Sequence, residues 1–145
     1  MYKHILIAID GSELAAKALS QGLGLAEALA AKATVVTVTE PWVGHVSGEA
    51  ALRFPSVEYD EAMAANATQI LSKASALATQ LNVTCSTVHV KERHPAEGIL
   101  ETAQTLACDL IVMASHGRRG LSRLMLGSQA NNVVTHSAIP VLICR

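Results

Sequence analysis

Short apolar runs recur along the chain and alternate with longer segments whose apolar residues return at helical spacing. Residues 4–9, HILIAI, form the first run, and Asp10-Gly11-Ser12 breaks it. Ser12 suits the cap of the Ala-rich segment 13–32, where a side-chain oxygen can satisfy an open helix amide. Residues 33–39, dense in Val and Thr, predict a second strand ended by Glu40-Pro41, and 83–90 predict a third. Between them, 42–55 carries two glycines and the only Trp and Phe and reads as a loop, while 56–81 has the composition of a long helix. Pro95 fits the first turn of a helix running to about residue 107, because a missing N–H costs nothing there. Residues 109–114 predict a fourth strand, 128–136 a last helix and 139–144 a fifth strand.

Strands that alternate with helices, several of them apolar throughout, predict an α/β fold whose parallel sheet is covered on both faces. The natural architecture is one doubly wound, five-stranded domain of Rossmann-like type. Right-handed crossovers make 3-2-1-4-5 the leading candidate for its strand order. In that order the chain reverses direction between the first and fourth strands, and ligands bind in the crevice at such a reversal. The loops leaving those strands begin at Asp10-Gly11 and at Ala114-Ser115-His116-Gly117, so a carboxylate and a glycine-bearing loop should lie side by side.

That second loop is the richest in chemistry. In ASHGRRGLSRLMLGSQ, residues 114–129, Gly117 and Gly120 allow a tight turn and close approach of the backbone to a ligand. Gly127-Ser128 then opens a helix whose first N–H groups lack partners, and those groups and the helix dipole favour an anion. Arg118, Arg119 and Arg123 add positive charge to the same stretch. A surface loop with a helix cap at Ser128 has the same composition, and on the loop alone both readings stand.

Composition narrows the choices. A chain of 145 residues, half of them hydrophobic, fits one domain that buries its core without covalent staples. Eleven basic against twelve acidic residues give a charge of −1, which exerts no overall pull on DNA or an anionic membrane. One Trp, two Tyr and one Phe make a poor stacking platform for single strands. Neither nucleic acid nor a membrane is therefore an expected partner. Cys85, Cys108 and Cys144, odd in number and widely spaced, read as reduced core residues. The first residues turn polar too soon for a signal peptide, and no apolar run approaches the roughly 20 residues of a membrane span. The expected location is the cytoplasm.

Enzymatic signals are thin. The Gly127-Ser128-Gln129 turn lacks the lysine of a Walker loop, and no base is evident to activate water, so no catalytic residue is assigned and any ATP hydrolysis should be slow. The histidines at 4, 45, 89, 94 and 136 have no metal-ligand spacing. His116 reads equally as a phosphate-neutralising group and as a solvent-facing loop residue.

Taken together, these marks resemble the universal stress protein family over essentially the whole length. The nucleotide-binding members carry G-x2-G-x9-G-S/T after the fourth strand, and here Ala114 stands at the first glycine, followed by Gly117 and Gly127-Ser128. Ile9-Asp10-Gly11-Ser12, Cys108-Asp109-Leu110-Ile111-Val112-Met113 and Ile139-Pro140-Val141-Leu142-Ile143 support the match. The resemblance implies an adenine nucleotide alpha hydrolase-like fold and a stress-response sensor or regulator that binds ATP or another adenine nucleotide. Phosphates would then lie against Gly117, Gly127, Ser128 and Gln129, with Ala114, His116 and Arg118 completing that loop's contribution. Adenosine would lie against Ala8, Ile9, Asp10 and Val38, with Asp10 serving the ribose or a hydrated Mg2+. Val38 also suits ordinary core. The resemblance further implies a homodimer through the fifth strand, whose apolar edge invites pairing. A nucleotide-free dimeric module whose arginine loop meets an acidic protein partner is the competing reading.

Overall fold

The computed structural model describes residues 1–42, 48–49, 56–117 and 125–145. The apolar runs become β1 (His4–Ala8), β2 (Lys32–Thr39), β3 (Cys85–Lys91), β4 (Leu110–Ala114) and β5 (Val141–Cys144). They form one parallel sheet in the order β3-β2-β1-β4-β5, as the crossover argument predicts. The connecting helices are α1 (Glu13–Leu29), α2 (Ser56–Gln80), α3 (Pro95–Thr105) and α4 (Ser128–His136).

Alternation along the strands sorts the core into two layers. Ile5, Ile7 and Ile9 point with Val35 and Val112 toward Leu19 and Leu23 of α1 and Leu71 of α2. Leu6, Ala8, Val36, Ile111 and Met113 point the other way, toward Ile99 of α3 and Val133 of α4. Each large side chain so buried stabilises the fold by about 1.5–3 kcal/mol relative to an exposed one. Among the described residues, no helix is long and apolar enough to cross a membrane. The three cysteines are free, with Cys108 and Cys144 buried, and burial pushes the Cys108 thiol up to about 11.

Three helices end earlier than their patterns suggest, by one to three residues. The sequence predicts ends at 32, 81 and about 107, whereas α1, α2 and α3 stop at Leu29, Gln80 and Thr105. Ala30, Asn82 and Ala107 turn to φ of 52°, 54° and 50°. The next amide in each case folds back to a carbonyl five residues earlier, as in Ala31 to Ala26, Val83 to Ala78 and Cys108 to Ala103. This is the Schellman closure, in which glycine usually occupies the left-handed position. Without that glycine the stop signals are weak in the sequence. The 42–55 loop falls largely outside the described residues.

At the amino edge of the sheet, side chains tie the strands together. Asp109 accepts hydrogen bonds from the amides of Lys3 at 2.8 Å and His4 at 3.0 Å. The His4 ring is buried, with Nε2 2.8 Å from the Thr34 hydroxyl and Nδ1 3.1 Å from the Leu106 carbonyl. Burial, reinforced by Lys32, holds His4 below the ordinary 6.5, against the opposing pull of Leu106 and Asp109. Burial pushes the Asp109 carboxyl up, but the Lys3 and His4 amides outweigh it and hold its pKa below the ordinary 3.8.

Both shifts make the protein acid-labile. The unfolded chain takes up a proton at His4 below about pH 6.5 and at Asp109 below about pH 4, while the folded chain resists each, so stability falls with pH in two windows. Urea midpoints measured from neutral pH downward are expected to show both, with His4→Gln flattening part of the upper window, to which His89, also held low by burial, contributes the rest, and Asp109→Asn flattening the lower. Relief of the left-handed alanines acts in the opposite direction. Ala30→Gly and Ala107→Gly, both at exposed sites, are each expected to stabilise by about 1 kcal/mol in the same assay.

Candidate functional site

The carboxyl ends of β1, β2 and β4 open into a cavity of about 380 Å³. That volume lies within the range of small-molecule sites, about 300–1,000 Å³. Of the residues singled out from the sequence, Ala8, Ile9, Asp10, Val38, Ala114, His116, Gly117, Gly127, Ser128 and Gln129 all line it. Arg118 lies outside the described residues, as do Arg119, Gly120 and Arg123.

Asp10 is placed by the start of α1. Its Oδ1 accepts the Ser12 amide at 2.9 Å, Gly11 takes φ 82° between them, and the Ser12 hydroxyl caps Ala15 at 3.2 Å. The other carboxylate oxygen sits 2.6 Å from where a Cβ on residue 117 would stand. Gly117 is therefore the residue that lets the two loops meet, which is the juxtaposition predicted from strand order.

The start of α4 is closed against β4. The Ser115 amide donates to Cys144 at 2.8 Å, and the Ser115 carbonyl accepts the Gly127 amide at 2.7 Å. A Cβ on residue 127 would lie 3.0 Å from that carbonyl and 3.4 Å from the His116 Cα, a tight fit in which the backbone of the loop would have to give by a few tenths of an ångström. Gly127 rather than Ser128 is the N-cap, and it offers no side chain. The first helical bond runs from Asn131 to Gly127, which leaves the amides of Ser128, Gln129 and Ala130 without partners inside the helix. These three residues line the cavity.

Two expectations sharpen. The Gln129 side chain accepts the Ala96 amide at 3.0 Å, capping α3, whose own N-cap, His94, makes no side-chain bond. Gln129 thus meets the cavity with its backbone amide unspent and its side-chain oxygen committed. Ala114 is the last residue of β4, paired with Cys144, and its backbone is not among the positive-φ positions. Its methyl packs in the α1–α2 layer of the core, so the backbone there has no need of glycine. Val38 packs against the α3–α4 layer and also lines the cavity.

Sequence reasoning missed the wall supplied by α2. Tyr59, Met63, Asn66, Ala67 and Ile70 line the cavity, and the Tyr59 hydroxyl donates to the Glu40 carbonyl at 3.0 Å. Their spacing of four, three, one and three residues is a helical stripe, a signal present in the sequence but shared with any core face. Pro95 also lines the mouth, while Arg93 of the same turn pairs with Glu101 at 3.2 Å on the surface. Among the described residues, no group of three His, Cys, Asp or Glu side chains is arranged to hold a metal ion.

The model of the universal stress protein family matches residues 1–145. The chain belongs to the universal stress protein family. A universal stress protein of Bacillus subtilis is 33% identical over 149 residues, covering 100% of both chains. One of Methanocaldococcus jannaschii is 31% identical over 147 residues, covering 100% of this chain and 83% of the relative. Among solved structures, the universal stress protein UspA of Lactobacillus plantarum superposes with a TM-score of 0.86 at 24% identity over 99% of this chain and 98% of its own. Two more distant universal stress protein structures with the same fold, at TM-scores of 0.73 and 0.70, hold cAMP and, in the Archaeoglobus fulgidus protein, dAMP. Each spans 99% of this chain, at 22% and 20% identity, with 97% and 98% of its own length covered.

The Gln129 cap has a measurable worth in this family member. Gln129→Ala is expected to cost about 1 kcal/mol in chemical denaturation, the usual cost of losing a helix cap, while Gln129→Glu, which keeps the oxygen, should retain most of it. Equal stability of Gln129→Ala and the parent would remove the capping role.

Proposed function

We propose that this universal stress protein binds an adenine nucleotide, ATP with Mg2+, in the cavity and serves as a cytoplasmic stress-response sensor or regulator. The observation that carries the reading is the meeting, across one cavity, of the open α4 amides with the Asp10 carboxylate. Phosphate oxygens would take the amides of Ser128, Gln129 and Ala130 at the positive end of the helix dipole. The Ser128 hydroxyl, not needed as a cap, adds a donor. Asp10 would accept from the ribose hydroxyls or from water on Mg2+, a cation that prefers carboxylate, phosphate and water oxygens. The apolar faces of Ala8, Val38 and Met113 suit the two sides of a purine, and the strand ends supply backbone groups for its edge. The cAMP and dAMP held by the distant relatives support the same ligand class.

The reading is of a binding protein with at most slow turnover. The assembly we propose is a homodimer through β5. That strand is a sheet edge, and its Leu142 side chain is 41% exposed, an apolar surface that a second copy would cover.

Nucleotide released from freshly purified protein by denaturation, followed by calorimetric titration of the stripped protein with ATP and magnesium, tests the reading. Retained adenine nucleotide or micromolar binding is expected. Gly127→Val should abolish that heat, because its branched side chain invades the Ser115 carbonyl and the phosphate approach, and its stability is checked in parallel. Parent-like affinity in a folded Gly127→Val protein would remove this placement of the phosphates.

A further inference from the structure

We infer that Ser115 is a positioning residue that holds the His116 ring by its Nδ1, so that the imidazole offers its Nε2–H to a ligand phosphate. The inference rests on the nucleotide reading and deepens it at one donor. The Ser115 hydroxyl lies 3.0 Å from His116 Nδ1. Ser115 itself is 4% exposed, and its main chain is pinned on both sides, by Cys144 at its amide and by Gly127 at its carbonyl. Its hydroxyl is thus a fixed post against which the ring is set.

The opposite edge of the ring faces the helix start. His116 Cδ2, the atom bonded to Nε2, lies 3.7 Å from where a Cβ on Gly127 would stand, beside the first turn of α4. Among the described residues, Nε2 has no hydrogen-bond partner, and His116 lines the cavity. A hydroxyl can give or take the bond to Nδ1. If Nδ1 carried the proton, Nε2 would turn a lone pair toward the place where the α4 amides gather negative charge, which is repulsive. If the hydroxyl donates to Nδ1, the proton sits on Nε2 and points at the anion. Switching between the two costs only a rotation of the hydroxyl, so a bound phosphate selects the second. The neutral ring then donates to phosphate through Nε2 while the Ser115 hydroxyl holds Nδ1.

The test uses the full chain with 15N-labelled histidine. The ATP complex is expected to show His116 with a protonated Nε2 and a lone pair on Nδ1. His116→Ala should weaken ATP about tenfold, the scale of one hydrogen bond to a charged group, and leave adenosine affinity unchanged. Ser115→Ala should free the ring and weaken ATP, with no further loss when combined with His116→Ala. His116→Gln, which carries its own donor, should recover part of the ATP affinity and be insensitive to Ser115→Ala. A complex with the proton on Nδ1, additive losses in the double variant, or equal losses for ATP and adenosine would each overturn the assignment. Failure of the nucleotide reading looks different: the parent protein itself gives no heat with ATP or adenosine, and the inference falls with it.

Discussion

The pairing of β1 on both of its edges governs the rest of the molecule. With β2 on one side and β4 on the other, all parallel, each return to the sheet needs a helical crossover, and a single hand of crossover sends α1 and α2 to one face and α3 and α4 to the other. The chain therefore leaves β1 and β4 in opposite directions. Packing cannot fill the space between the departing loops, and every strand end and helix start is delivered to the same edge. The cavity is a product of topology, and the residues lining it supply the chemistry.

The two edges of the sheet treat their polar groups differently. At the amino edge, Asp109 takes up the amides of Lys3 and His4, and His4 engages Thr34 and Leu106, so backbone and side-chain needs are met internally. At the carboxyl edge, the glycine at the start of α4 offers no side chain and leaves amides facing the cavity. One end is closed chemically, and the other is left with unspent donors. Such a division keeps the open donors away from the contacts that hold the strands in register.

Most of this was legible in the sequence, for identifiable reasons. The strands announced themselves as dense apolar runs, and their parallel order followed from alternation with helices. The loops at Asp10 and Gly117 were placed together by strand order alone. Helix ends were less legible, because Ala30 and Ala107 adopt a left-handed turn that sequence reading associates with glycine. The α2 wall was missed because Tyr59, Met63 and Ile70 look like core until the sheet edge beneath them is seen to be open. The capping work of Gln129 was hidden for a similar reason, since its partner Ala96 lies 33 residues away in the chain. Long-range side-chain bonds of this kind leave no periodic trace.

That one bond makes α3 an observer of α4. The Ala96 amide is held by a side chain from the first turn of α4, so its rate of exchange with solvent follows events at that helix start. The backbone carries a gauge of the cleft inside a neighbouring element, readable without any label attached to the site.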